Sequence, residues 1–312
     1  MRIDCIEDGE GVALLVPDWL TLWRRCKATP FQSPHWLLTW CRHFASGPLH
    51  VLTARDGGAL VGVLPLGIGL SDYLDVLVIP GREDIAGALL GAVTELPDWQ
   101  ECHLPDLPPE AALLSVACPA GCREERTLTV PCPVLTLPHS ADELKSVVPQ
   151  KTLRDVRQAG HRAATSGSVS IEAAERNSLD GCLNDLFRLH EKRWQRRGET
   201  GVCADPEVQR FHREAARTMH DARLLRLYRL SIGDAVAAVY YGFVNGGSAY
   251  AYLGGFDPDL PRFSPGAQSI AHAIGSAIGE GAREFHFLRG GEAYKYSWGA
   301  VDRWNTARTF RR

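Results

Sequence analysis

One succession of elements runs twice along this chain of 312 residues, and that repeat limits what it can fold into more than any other feature. In the first half, Asp18–Cys26 and Pro34–Phe44 read as amphipathic helices, the second opened by Ser33 as cap and Pro34 at the first helical position. A hairpin follows, His50–Arg55 and Leu60–Ile68 around Asp56-Gly57-Gly58, then a strand Leu74–Ile79, a helix Ile85–Leu96 and a short strand Glu101–Leu104. The second half repeats the order. Helices Leu179–Arg197 and Glu207–Asp221 precede a hairpin of Leu224–Ser231 and Ala235–Val244 around Gly233-Asp234. A strand Ala249–Phe256, a helix Pro265–Gly279 and a strand Glu284–Leu288 follow. Self-similarity on this scale argues for duplication of one α/β domain. The expected boundaries are 1–138 and 139–312. Each strand–helix–strand unit should be a right-handed crossover between parallel strands, attached to an antiparallel meander.

Between the repeats, Pro97–Pro138 is proline-rich, with short β pieces at Leu128–Val130 and Val134–Leu137. A helix Ala141–Val148 stops at Pro149, and Gln150–Ala164 continues as a basic helix carrying Lys151, Arg154, Arg157, His161 and Arg162. A solvated face explains those charges; contact with an anionic substrate or nucleic acid is the other reading. The formal net charge of −3 provides no global field for nucleic acid or membrane. No apolar run approaches the roughly 18–20 residues of a membrane span, and the stretch Met1–Asp8 lacks the apolar core of a signal peptide. A cytoplasmic protein is therefore expected, with its nine cysteines as reduced thiols. Cys118, Cys122 and Cys132 lack partners at zinc-finger spacing, so no metal is expected.

Chemistry concentrates between Ala249 and Trp298. The strand Ala249–Leu253 runs into Gly254-Gly255, where a bulge or a close backbone approach is expected. After Arg262, Ser264 reads as a helix cap, Pro265 as the first helical residue, and Gly266 as a backbone N–H open to close approach, followed by Ala267 and Gln268. No acid lies in this first turn, so free N–H groups and the helix dipole make an anion site that suits a diphosphate. The matching helix of the first half starts Gly81-Arg82-Glu83-Asp84, whose carboxylates would repel one. One nucleotide-type site is expected, in the second copy.

The run from Arg262 through Pro265-Gly266-Ala267 resembles a stretched form of the GNAT pyrophosphate loop. With Gly281, Glu284-Phe285-His286-Phe287-Leu288-Arg289-Gly290, Glu292, Tyr294-Lys295 and Trp298, it is similar to the C-terminal signature of the BioF2-like acetyltransferases of cellulose and exopolysaccharide biosynthesis. Pro30-Phe31-Gln32-Ser33, Trp36, Ser71-Asp72-Tyr73 and Glu191-Lys192-Arg193-Trp194 are similar to other landmarks of that group. The resemblance implies two tandem GNAT-like domains, each a mixed sheet flanked by helices, related to the Fem-type aminoacyltransferases. The first would carry a degenerate CoA site. His286 stands where that group usually has an aspartate.

The resemblance implies an N-acyltransferase that moves an acyl group from acyl-CoA, acetyl or longer, to an amine on a saccharide, amino acid or other small molecule. Arg262, Ser264, Pro265, Gly266, Ala267 and Gln268 would hold the CoA. Tyr294 would donate a proton to the departing thiolate, and Glu292 or His286 would accept the amine's proton. Asp72 and Tyr73 from the first half, and Arg193, Trp194, Arg289, Lys295 and Trp298 from the second, would contact the acceptor. The bland readings stay beside these: a structural His286 between Phe285 and Phe287, turn residues Asp72 and Tyr73, and core tryptophans. Two other functions stay open, a Fem-type aminoacyltransferase using aminoacyl-tRNA and a non-catalytic GNAT-like binding protein.

Overall fold

The computed structural model describes residues 1–26, 28–45, 49–66 and 71–312. The chain forms two compact units, Met1–Cys132 with Arg303–Arg312, and Pro133–Asp302.

In the first unit, β1 (Arg2–Ile6) leads into α1 (Gly9–Arg25), capped by the Asp8 carboxylate on the Gly11 N–H. The helix starts well before the expected Asp18, because Pro17 lies inside it instead of ending it. Helix α2 (Pro34–Phe44) begins as its sequence implies, with the Ser33 hydroxyl accepting from the Trp36 N–H. The hairpin β2 (Val51–Asp56) and β3 (Ala59–Pro65) turns on Gly57 and Gly58, both at positive φ as such a tight turn requires. The last two residues of the longer strand expected here, 67 and 68, lie outside the described residues. Then come β4 (Leu77–Val78), α3 (Glu83–Val93), β5 (Glu101–Leu107), α4 (Ala112–Ser115) and β6 (Arg123–Thr136). Strands β1, β2, β3 and β4 form one antiparallel sheet in that order. Helix α3 buries Ile85, Ala86, Leu89 and Leu90 against Leu52, Ala54, Val61 and Leu64. Gly62 makes this packing possible, since a Cβ there would stand 2.6 Å from Ile85 Cγ2.

The second unit opens on the end of β6 and continues with α5 (Gln150–Ala164), β7 (Val169–Ala173), α6 (Leu179–Gln195) and α7 (Pro206–Asp221). Strands β8 (Leu225–Ile232), β9 (Ala235–Asn245) and β10 (Ser248–Phe256) form a meander, followed by α8 (Pro265–Gly279), β11 (Glu284–His286) and α9 (Ala293–Tyr296). Antiparallel ladders join β7 to β8, β8 to β9 and β9 to β10; β11 lies parallel to β10 and antiparallel to β6. Helix α8 packs Ala273, Ile274, Ala277 and Ile278 on Tyr228, Tyr240, Ala249 and Phe285, where full burial of each large apolar side chain contributes about 1.5–3 kcal/mol.

The repeat therefore extends further than the sequence pattern alone. Strand β1 pairs the hairpin of its unit as β7 pairs the hairpin of the other. The fold is α/β, with sheets flanked by helices in each half. One expectation fails in the first half: β5 is laddered antiparallel to β12 (Val301–Arg311), and among the described residues no parallel ladder joins it to β4. The sequence signalled no strand at β12, yet its Phe310 belongs to the core of the first unit.

Candidate active site

Strand β10 is nine residues long, but its parallel ladder with β11 covers only Ser248–Tyr250 opposite Glu284–His286. Strand β11 ends at His286, opposite Tyr250, and β10 runs on beyond it to Phe256. A register shift at Tyr252 bends β10 there. The sequence placed a bulge or close approach at Gly254-Gly255, and the two features are divided. The bulge is at Tyr252, and Gly255 is the close approach, where a Cβ would stand 2.9 Å from the Leu186 carbonyl oxygen of α6.

Helix α8 starts just after β10. Its first turn carries no acid, Pro265 is the first helical residue, and no side chain caps it. Ser264 occupies the cap position at φ 43° and ψ 53°, a left-handed conformation, and its hydroxyl points back to the Pro261 carbonyl at 3.4 Å. The expected serine cap is thus absent, which leaves the helix start more open to an anion. Arg262 is exposed, its guanidinium 4.4 Å above the Phe263 ring and its carbonyl accepting from Arg162 Nε at 2.8 Å. Gln268 is corrected to a structural role, because Nε2 donates to the Phe263 carbonyl at 2.6 Å and the side chain is buried. Gly266 also has a packing reason: a Cβ there would stand 3.0 Å from Phe256 Cδ1. Its α-carbon faces a ring, so the openness read from the glycine belongs to the first-turn N–H groups only. Ala267 packs partly buried against the core under α8.

Phe256 is the residue that sequence reasoning missed. On one side it meets Gly266; on the other, the Arg193 guanidinium stacks 4.9 Å from its ring centroid. Arg193 Nε is buried with no hydrogen-bond partner. Burial, aided by the charge of Arg197, pulls this guanidinium below its usual range, while Tyr294 and Glu292 act on it in the opposite direction. Contacts therefore run from the α8 start through Phe256 to Arg193, whose charge is felt by Glu292 and Tyr294. An aromatic at the end of a predicted strand was the only available signal, and it reads as core.

Tyr294 is 46% exposed, with its ring edge against Phe287 at 6.2 Å between centroids. Burial of the hydroxyl end, with the neighbouring Glu292 charge, pushes its pKa up to about 12, so it carries its proton at neutral pH. Burial also acts to raise the Glu292 carboxyl, but the hydrogen bond from Lys295 and the charges of Lys295 and Arg193 outweigh it and hold the group below its usual range. Gly290 permits this fold-back, since a Cβ there would stand 2.6 Å from Glu292 Oε2.

Lys295 does not await a ligand. It is 2% exposed, and Nζ donates to the carbonyls of Leu288, Arg289 and Gly290 at 3.2, 2.7 and 3.0 Å, with Glu292 Oε2 at 2.9 Å. Its donors are spent holding the loop after β11. Trp298 is buried in the core beneath α8 and is corrected to packing. Trp194 donates to His190 Nε2 at 3.0 Å, and Arg289 is exposed. His286 is buried, stacked on Tyr250 at 4.9 Å with Nε2 3.1 Å from Glu284, the arrangement of a structural histidine. Asp72 and Tyr73 lie buried in the first unit, Tyr73 at φ 53°.

Residues 150–296 match the family model described as an acetyltransferase (GNAT) domain, which spans from the start of α5 to the end of α9. No curated protein matches the chain. Among solved structures it is similar to FemX, with a TM-score of 0.69 and 11% identity over 98% of this chain and 96% of that one. The C-terminal domain of a putative lysylphosphatidylglycerol synthetase from Agrobacterium fabrum follows, with a TM-score of 0.60 and 13% identity over 96% and 92%. A tandem GNAT protein from the clavulanic acid biosynthesis pathway superposes with a TM-score of 0.52 and 15% identity over 98% of both chains. The stretch matched to the acetyltransferase (GNAT) domain model, residues 150–296, contains strands β10 and β11, the uncapped helix α8 and Tyr294.

Proposed function

We propose that this chain is an N-acyltransferase that moves an acyl group from acyl-CoA to an amine on a saccharide, amino acid or similar small molecule of polysaccharide or envelope metabolism. One observation carries this reading: the parallel ladder of β10 and β11 ends at Tyr250 and His286, next to a helix start with neither acid nor side-chain cap. Unpaired backbone along the end of β10 suits the amides of a pantetheine arm, and the first-turn N–H groups of α8 suit its diphosphate. Arg262 adds charge at that end.

The amine nitrogen attacks the thioester carbonyl carbon, the carbon–sulfur bond breaks, and the sulfur leaves with a proton. Tyr294 supplies that proton. A hydroxyl with a pKa near 12 is too weak an acid to protonate a free thiolate in advance, so it donates as the bond breaks. Glu292, paired with Lys295 and held below its usual range, is a weak base. The acceptor enters as the free amine, and the proton its nitrogen sheds on forming the amide passes through water to the Tyr294 oxygen, which restores the hydroxyl. Arg193, desolvated and short of one hydrogen-bond partner, is suited to hold an anionic group of that acceptor.

A second reading is favoured by two of the solved structures, FemX and the synthetase domain, and by the exposed basic residues of α5. In it the donor is an aminoacyl-tRNA. Thermal-shift titration with acetyl-CoA, longer acyl-CoAs and aminoacyl-tRNA decides between them. A ligand at 100 times its Kd stabilises the folded chain by roughly 2.7 kcal/mol. Stabilisation by acyl-CoA supports the proposal. A response to aminoacyl-tRNA alone transfers the site to the second reading, and a response to neither leaves a binding protein.

A further inference from the structure

We propose that Cys5, Glu7 and His50 of the first unit form a binding site for a zinc-type divalent cation, separate from the acyl-transfer site. The ladder of β1 with β2 pairs Cys5 with Leu52 and Ile6 with Val51. One step further along this register, Glu7 comes opposite His50. Residues two apart on a strand share a face, so Cys5, Glu7 and His50 converge at one end of the strand pair. No sequence motif announces this, because the histidine lies 45 positions from the cysteine and only the register brings them together.

The three donor atoms are already spaced as ligands of one metal. Cys5 Sγ lies 3.7 Å from His50 Nδ1 and 3.8 Å from Glu7 Oε1, and those two lie 3.0 Å apart. Zinc bonds of about 2.3 Å to sulfur and 2.0–2.2 Å to nitrogen or oxygen, at tetrahedral angles, separate ligand atoms by roughly 3.3–3.6 Å. Small side-chain rotations close the difference. Charge also balances: a thiolate, a carboxylate and a neutral imidazole around a dication make a neutral site, with the thiol proton released on binding. All three residues are exposed or half-exposed, so the cation has an entry path and the fourth position is left to water. Among the described residues this is the only such group of histidine, cysteine and carboxylate side chains. A cation here would tie the edge strand β1 to β2.

Cobalt(II) titration of the full, reduced chain tests this, since a cobalt–thiolate bond has a charge-transfer absorption that oxygen and nitrogen ligands alone do not produce. We expect the band to saturate at one cobalt per chain and to be bleached by zinc. It should vanish in Cys5→Ser, and His50→Gln or Glu7→Gln should weaken cobalt binding at least 10-fold. Cys118→Ser and Cys122→Ser should leave it unchanged. A chain with no band at stoichiometric cobalt overturns the proposal, as does a band that survives Cys5→Ser. If Cys5→Ser fails to fold, the His50 and Glu7 variants decide alone, and full affinity in both overturns it.

Discussion

Helices α3 and α8 occupy the same place in the two halves of this chain, and they differ at their first turns. Both follow a short loop after the last strand of a meander, and both press an apolar face onto their sheet. The α3 start carries Glu83 and Asp84, with Arg82 clamped to the Asp84 carboxylate by two hydrogen bonds of 2.8 Å and drawn toward Asp56 at 3.5 Å. The α8 start carries Pro265, Gly266 and Ala267 and no charge. An anion that approached α3 would meet carboxylates already using the dipole and the nearest arginine. At α8 the dipole is unspent. Packing and first-turn chemistry thus vary independently between the two halves, and only the α8 start is free of acid.

The largest expected effect belongs to the second half alone. Tyr294→Phe keeps the ring on Phe287 and removes only the hydroxyl, so kcat should fall by roughly 10²–10⁴ while the melting temperature is unchanged. Intact turnover, or a collapse in stability, makes Tyr294 a packing residue. The rate of the parent enzyme against pH sharpens the same point. It should rise with deprotonation of the acceptor amine itself, because Glu292 is held below its usual range and Tyr294, at about 12, keeps its proton there.

Much of the frame was legible because it rests on local patterns. The Ser33-Pro34 helix start, the Gly57-Gly58 turn and the acid-free opening at Pro265 are decided within a few residues of chain. The two strands β1 and β12 escaped notice, since neither alternates cleanly and each is held by a ladder to a distant partner. The site was legible in part. The sequence named Tyr294, Arg193 and the α8 loop as candidates, but it did not show that Lys295 spends its donors on three carbonyls. Nor did it show that Phe256 links Gly266 to Arg193. Those facts depend on how a loop folds back, and residue type alone does not encode it.

Acid should separate the two halves. In the second, burial lowers the pKa of His212 to about 3 and of His190 to about 4, with Arg193 adding to the latter effect. Unfolded, both titrate near 6.5, so their stabilisation is complete above that pH and is lost as pH falls toward 4. By pH 5 each loses about 2 kcal/mol. In the first half the sign reverses. Burial outweighs the N–H groups of Leu113, Ala112 and Val76 and raises the Asp75 carboxyl to about 6, so its folded form gains as pH falls from about 6 toward 4. Hydrogen exchange, corrected for intrinsic rates, should show α7 opening more at pH 5 than at pH 7 and the α4 region opening less. Equal responses would break the contrast.

A charge transplanted between the copies should have a smaller effect. Ala267→Asp gives α8 the acid that α3 has, and acyl-CoA affinity should fall about 10–100-fold, while the helix itself gains a few tenths of a kcal/mol from its dipole. Ala267→Asn, equal in size and uncharged, should bind nearly as the parent does. Gly266→Asp is the poorer probe, since its Cβ would press on Phe256 whether or not a ligand binds there. If the aspartate and asparagine variants bind equally, the diphosphate does not sit at this helix start.

The reverse transplant, in the first half, should have the smallest effect, and its smallness is the test. Glu83→Gln with Asp84→Asn removes both acids from the α3 start and releases Arg82 from its bidentate partner. Each acid lies in the first turn and is worth roughly 0.3–1 kcal/mol to its helix at low salt. The double variant should therefore lower the stability of the first unit by no more than about 2 kcal/mol, and less as salt screens the dipole. Acyl-CoA affinity should be unchanged, with one site per chain by isothermal titration, because repulsion is only one of two deficits in this copy. Strand β4 spans two residues and makes no parallel ladder with β5 among the described residues, so it presents no long free edge for a pantetheine arm. Removing the acids restores an anion-tolerant helix start without restoring that edge. A second acyl-CoA bound per chain in the double variant would show that the acids alone silenced the first copy, and that the free end of β10 is not what selects the ligand.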